Sequence, residues 1–197
     1  MSTLVVTILN FNLRTTLEHI ASIQTGVFAK PVADGEIVYL QARYFDETGQ
    51  LIGLPHPDLK ADDVNPKHVL KSGDVLFAAK GSKNFASVIK EHNPPSVAST
   101  SFFVIRLKDK KVLPEYLAWF MNSASTQLFL KSTALGSSMA SISKGVLEKL
   151  EVLVPTIQTQ HSILSITSHR EKEKQLRQKI ESLQEIIIQK KIINAIK

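Results

Sequence analysis

Between Ile157 and Ile196 the chain contains no glycine and no proline. Forty residues without a helix breaker, at 1.5 Å per residue, predict a helix about 60 Å long. A body built from the rest of a 197-residue chain cannot cover a helix of that length. Leu176, Ile180, Leu183 and Ile187 follow the four-three-four spacing of a coiled-coil seam. Ile166 lies on the same stripe, with His169 and Glu173 interrupting before Leu176. Beyond Ile187 the pattern widens into Ile188, Ile192, Ile193 and Ile196, as on a helix buried over a broad face. A terminal helix folded back on its own domain is the plainer arrangement, but the length opposes it. An exposed isoleucine stripe needs a partner, so association of helix with helix is expected.

The residues before this helix have a different texture. LRTTLEHIA (13–21) reads as an amphipathic helix, with Thr15 or Thr16 as N-cap and Glu18 in the first turn. IVYLQ (37–41) reads as a strand, and ETGQL (47–51) carries turn chemistry around Gly49. LPHPDLKADDVNPKH (54–68) is a loop by its prolines and acids. GDVLFAA (73–79) and FASVI (85–89) are strands about a KGSKN turn, and VASTSFFVIRL (97–107) is one further β-rich run. From Pro114 the pattern turns helical: PEYLAWFMNSAS begins with proline in the first turn, and STQLFLKSTA (125–134) continues it. A small-residue loop, GSSMASISK (136–144), leads to a short helix at VLEKL and a strand at EVLVP (151–155). The expected fold is therefore α+β: a globular domain of mixed strands and helices over 1–155, then a long coiled-coil-forming helix over 156–197.

Several chemistries are excluded. Without cysteine there is no disulfide and no thiolate metal site. The six histidines form no HExxH and no tight cluster with carboxylates, so no metal is expected. No GxxxxGK[ST] string occurs to cradle a nucleotide, and no serine sits in a nucleophile-elbow context. No cofactor and no catalytic residue are assigned. The apolar N-terminal run lacks a basic flank and a small-residue cleavage site, and no apolar run reaches the length of a membrane span. A cytoplasmic protein with no membrane partner is expected. Net charge is +6, which permits a polyanionic partner. Between Lys71 and Lys111 eight bases face only Asp74, Glu91 and Asp109. Asn93-Pro94-Pro95 resembles the loop with which DNA amino-methyltransferases hold a flipped base, but the fourth position is Ser96, which cannot stack on a base. The segment is better read as a connector than as a catalyst.

The order of landmarks carries a resemblance. SGDVLFAAKGS (72–82), PEYLAWFMNS (114–123), GSSMASISKGVLEKLEVLVP (136–155) and then a long helix opened by Gln158 and Gln160 resemble a specificity subunit of a type I restriction-modification system. YLQARYFDETGQL (39–51) also fits that family's first strand and turn. The resemblance implies a target-recognition domain that reads double-stranded DNA. It also implies modification (methyltransferase) subunits that bring the methyl donor, and ATP-driven restriction subunits. The usual subunit has two recognition domains and two helical regions, whereas this chain has one of each. It is either a half-subunit that forms a homodimer through the helix seam (Ile166, Leu176, Ile180, Leu183, Ile187) or a truncated product. The resemblance does not assign DNA contacts residue by residue. Chemistry and placement propose Lys80, Lys83 and Asn84 on the Gly81 turn, Arg43 and Tyr44 after a strand, and Ser137, Ser138, Ser141 and Lys144 on a small polar loop. Two other readings stay open: a coiled-coil adaptor whose head binds only protein, and a DNA methyltransferase fragment with a decayed motif.

Overall fold

The computed structural model describes residues 13–46, 48–53, 55–81, 84–90, 95–133 and 141–196. The described chain runs β1 (Leu13–Thr16), α1 (Leu17–Ile20), β2 (Ala21–Thr25), β3 (Val38–Leu40), β4 (Val75–Ala78), β5 (Ala86–Val88), β6 (Ser96–Ala98) and β7 (Phe102–Leu107). It continues with α2 (Pro114–Asn122), α3 (Ala124–Thr133), α4 (Lys144–Glu148), β8 (Glu151–Val154) and α5 (Ile157–Ala195). The mixed α+β order and the long terminal helix agree with the expected class.

An antiparallel sheet in the order β2-β7-β4-β5 forms the centre. The strand pair β3-β6 is parallel, with Val38 opposite Ser96 and Leu40 opposite Ala98. Both of its faces are buried, and the alternation of side chains divides them between two cores. Val38, Leu40 and Ala98 join a cluster with Phe45, Leu76, Phe85 and Phe102. Tyr39 and Val97 turn the other way, toward Ile37, Leu59 and Val64. The rings of Phe45, Phe85 and Phe102 pack with centroids 5.5–6.0 Å apart, tilted or edge-on, geometries that suit aromatic quadrupoles.

Two expectations required correction. LRTTLEHIA is not one helix: Leu13–Thr16 pair with β8, only Leu17–Ile20 make a helical turn, and Ala21 starts the strand that pairs with β7. Its β-branched residues, Thr15, Thr16 and Ile20, favour strand over helix, and two long-range strand partners outweigh a weak local helical pattern. Thr16 does stand at the N-cap position, though its side chain makes no capping bond. VASTSFFVIRL is likewise two strands in different sheets, β6 and β7, separated at Ser99–Ser101 by a turn in which Phe102 N–H donates to Ser99 O at 2.9 Å. A smaller difference is one of boundary. The short helix expected at VLEKL begins earlier, at Lys144, because Ser143 Oγ caps it by accepting from Val146 N–H at 3.3 Å.

The turn expected around Gly49 is held by Asp46, whose Oδ1 accepts from Thr48 N–H, Thr48 Oγ1 and Gln50 N–H at 2.7–2.9 Å. Burial alone would raise the Asp46 pKa, but these hydrogen bonds outweigh it and hold the carboxyl below its ordinary value. The carboxylate's contribution is therefore present above the unfolded pKa and lost as pH falls through the folded one. Gly49 has φ +82°, and a Cβ there would lie 2.7 Å from Ala86 O. Gly49→Ala is expected to cost about 1–3 kcal/mol in urea unfolding through strain and overpacking. An unchanged midpoint would show that this turn does not pack on β5 in solution.

Asp74, 2 % exposed, accepts from Arg106 Nε at 2.7 Å and Nη2 at 2.6 Å, and from Lys71 N–H at 2.8 Å. The hydrogen bond to Asp74 is the main reason that the Arg106 pKa is raised, against desolvation. The chain divides into two compact units, Met1–Gln160 and His161–Lys197. The division lies slightly beyond residue 155 because the first turn of α5 belongs to the first unit, where Gln160 is fully buried. Among the described residues no helix is long and apolar enough to cross a membrane.

Candidate nucleic-acid interface

Two surface segments that are far apart in the chain meet at the end of β4. Lys80 forms an antiparallel bridge with Ser141, and Ile142 N–H donates to Ala79 O at 2.9 Å. Buried Ala79 and Ile142 anchor the contact from beneath, while Lys80 and Ser141 remain exposed. The structure thus brings together Lys80 and Ser141, which the sequence offered only as separate candidates. Gly81 adopts φ +117°, and among the described residues nothing lies within 4 Å of where its Cβ would be. Three residues along the loop, Lys144 is exposed, opens α4 and reaches Glu148 Oε1 at 3.4 Å. That exposed ion pair is weak and competes little with a phosphate.

The other candidates differ in what they leave available. Asn84 is half-buried, and its Nδ2 donates to Ala78 O at 2.9 Å, closing the turn from within. Its amide nitrogen is therefore committed to structure. Arg43 is exposed on a 3-10 turn after β3, 5.1 Å from the Tyr44 ring centroid and 3.2 Å from the Tyr44 hydroxyl. A guanidinium stacked in this way is pre-ordered. Tyr44 also packs against the aromatic core. Phe45 follows it and touches Phe85, and Asn84 precedes Phe85, so the 43–44 pair and the glycine turn are rooted in one cluster. Lys83, Ser137 and Ser138 lie outside the described residues, as do Asn93 and Pro94. Ser96 is buried in β6.

Sequence reasoning passed over Asn122. From the last turn of α2 its side chain accepts from Ala86 N–H at 2.7 Å and donates to Ala86 O at 2.8 Å. It thereby satisfies the outer edge of β5 as a neighbouring strand would. An asparagine at a helix end carries no signal of that role. On α5 the seam residues Ile166, Leu176, Ile180, Leu183 and Ile187 are 49–62 % exposed. Among the described residues, no three His, Asp or Glu side chains converge as a metal site.

Residues 59–182, more than half of the chain, match the family model described as the type I restriction modification DNA specificity domain. Among solved structures, the chain is similar to a type I restriction-modification S subunit from M. genitalium (TM-score 0.57, 16 % identity, covering 83 % of this chain and 40 % of that one). It is similar to the HsdS subunit of Thermoanaerobacter tengcongensis (0.58, 18 %, 82 % and 37 %). It also resembles a chain from a structure addressing complex assembly and conformational transition of the type I R-M system (0.60, 15 %, 82 % and 38 %). The chain spans about two fifths of the length of these structures. No curated protein matches it.

Proposed function

We propose, since this chain belongs to the family of type I restriction modification DNA specificity domains, that it is a DNA-reading subunit with no chemistry of its own. It directs methyltransferase and restriction subunits to their target in the cytoplasm. The observation that carries the reading is the junction of Lys80 and Ser141, which sets an exposed lysine beside an exposed serine from a distant part of the chain. Duplex recognition needs positively charged clamps on phosphate and a few side chains that reach base edges. Lys80, Lys83 and Lys144, with Ser137, Ser138 and Ser141, supply the first; Arg43 with Tyr44, and the carbonyl end of Asn84, supply the second. One such unit reads half of a bipartite site. Pairing of two chains through α5 provides the second half, and the uncovered Leu/Ile seam is what favours it.

Lys80→Ala with Lys83→Ala is expected to weaken duplex binding and lower its salt slope by about one for each phosphate no longer neutralised. Arg43→Ala should instead change which sequence is preferred, and Asn84 should contribute less than Arg43. Binding titrations at several salt concentrations, followed by selection from a random duplex pool, measure both. Binding untouched by all of these changes together would sink the DNA reading in favour of a protein-binding adaptor. The purified chain should also neither methylate nor cut DNA, because Ser96 occupies the place of a stacking aromatic and is buried. Methyl transfer that disappears in Asn93→Ala would instead identify the chain as a methylase.

A further inference from the structure

The outer edge of β5 borders a cavity. Ala78 N–H donates to Phe85 O and Ile89 N–H to Asp74 O, both at 2.8 Å, so residues 85, 87 and 89 turn their backbone groups to β4. The alternation of an antiparallel ladder then turns those of Ala86 and Val88 outward. Ala86 is already paired, since the Asn122 side chain accepts from its N–H at 2.7 Å and donates to its carbonyl at 2.8 Å. Among the described residues nothing pairs with the N–H or the carbonyl of Val88. An unpaired edge ordinarily invites another strand. Here Asn122 blocks strand addition at Ala86 and leaves only Val88 of β5 open, too little to hold an added strand.

The cavity beside Val88 has a volume of about 790 Å³, the size of a small-molecule site. Its apolar walls come from two sides, Leu40, Phe45 and Leu51 of the aromatic core cluster and Ala118 of α2. Glu115, Ala118 and Asn122 fall on one stripe of α2. The helix that closes the strand edge at Ala86 therefore also lines the space at Val88. We propose that this cavity binds a purine by its amino-bearing edge. Asn122 shows what the outward edge of this strand takes, an acceptor and a donor side by side in one plane. Adenine presents the same pair, a ring nitrogen beside its 6-amino group, on a flat ring that fills apolar walls a lone carboxamide leaves empty. The ring nitrogen accepts from Val88 N–H, and the amino group donates to the Val88 carbonyl. Glu115, exposed at the mouth of the cavity, is a carboxylate acceptor for the outer edge of the ligand. The proposal goes beyond the reading of duplex DNA and does not rest on it.

Adenosine is the first probe, titrated into the full chain by calorimetry. One site per chain is expected, with a Kd on the order of 0.1 mM from the ordinary yield per ligand atom. N6,N6-dimethyladenosine keeps the ring and loses the donor, and should bind at least about tenfold more weakly. Val88→Pro removes the outward N–H and leaves the ladder to β4 intact, the place where an edge strand tolerates proline. It should weaken adenosine by at least about tenfold. Glu115→Trp, at an exposed helical position, fills the mouth of the cavity and should abolish binding with the unfolding midpoint kept. The second probe is a duplex with one unpaired adenine, compared with its fully paired counterpart. An affinity that depends on Val88 and Glu115 for adenosine assigns the site to a free nucleoside, and the same dependence for the unpaired duplex alone assigns it to a base presented by DNA. Equal affinity for adenosine and its dimethyl form overturns the proposal. So does binding of both probes that Glu115→Trp leaves unchanged, a readout that stands even where Val88→Pro does not fold. Binding of neither probe overturns it as well.

Discussion

Asp74→Ala is expected to destabilise the recognition domain by about 3–5 kcal/mol, the range for removing one partner of a buried ion pair. The carboxylate is nearly inaccessible and accepts three donated hydrogen bonds, two of them from one guanidinium. Its removal strands Arg106 on β7 and leaves Lys71 N–H without its acceptor at the entrance to β4. Arg106 is 29 % exposed in its side chain, so water recovers part of the loss, and the lower half of the range is the sharper expectation. In the wild type the raised Arg106 pKa, caused mainly by its hydrogen bond to Asp74, keeps the pair's contribution present through the whole working pH range, with loss only as pH rises beyond the guanidinium range; in the variant an arginine stays charged at working pH even without that partner. Urea unfolding followed through the single tryptophan, Trp119 on α2, measures the change. Asp74→Ala with Arg106→Met should be less destabilised than Asp74→Ala alone, because the second change removes the orphaned charge. A double variant worse than the sum of the singles would show that packing, and not the ion pair, explains the effect.

The Gly73-Asp74 pair also marks where sequence reading stops. As letters it announces a strand entrance, and the strand is there. What the aspartate does depends on Arg106, thirty-two residues away, and pairing over that distance leaves no periodic trace. Local signals behaved accordingly. The 157–195 helix was legible because uninterrupted helix-forming residues need no partner to declare their conformation. The 13–21 segment was misread because strand pairing with β8 and β7 decides it. The bend at Ser99–Ser101 escaped notice because neither glycine nor proline announces it.

The interface divides along the same line. Lys80, Ser141, Lys144 and Arg43 could each be picked out as polar residues on turns. That Lys80 and Ser141 lie side by side rests on a bridge between segments on either side of two helices. Asn84 looked like a base reader because turn asparagines often face outward, yet its amide turns in to Ala78 O. Gln160 was visible only as part of a helix start. Its burial and its three backbone partners emerge only when the loop at 111–113 is placed beside it.

Ile180→Glu with Leu183→Glu is expected to convert a dimer into a monomer and to abolish the advantage of paired half-sites. In the seam Leu176, Ile180, Leu183 and Ile187 recur at coiled-coil spacing and are about half exposed in the single chain. A seam worth about 7–8 kcal/mol pairs at tens of micromolar. The two changes place four unpaired carboxylates in each two-fold contact, and burying even one unpaired charge costs about 3–5 kcal/mol, so the contact cannot form. Antiparallel pairing would set one recognition domain at each end, and a two-fold reader prefers two inverted copies of one half-site. Light scattering at tens of micromolar should give a dimer for wild type and a monomer for the variant. Affinity for a single half-site should be unchanged, since the recognition domain is untouched. Affinity for the paired site should fall by about 10²–10⁴, the gain that a second tethered site normally supplies. A wild type that stays monomeric at that concentration would remove the paired reader and leave a chain that binds one half-site alone.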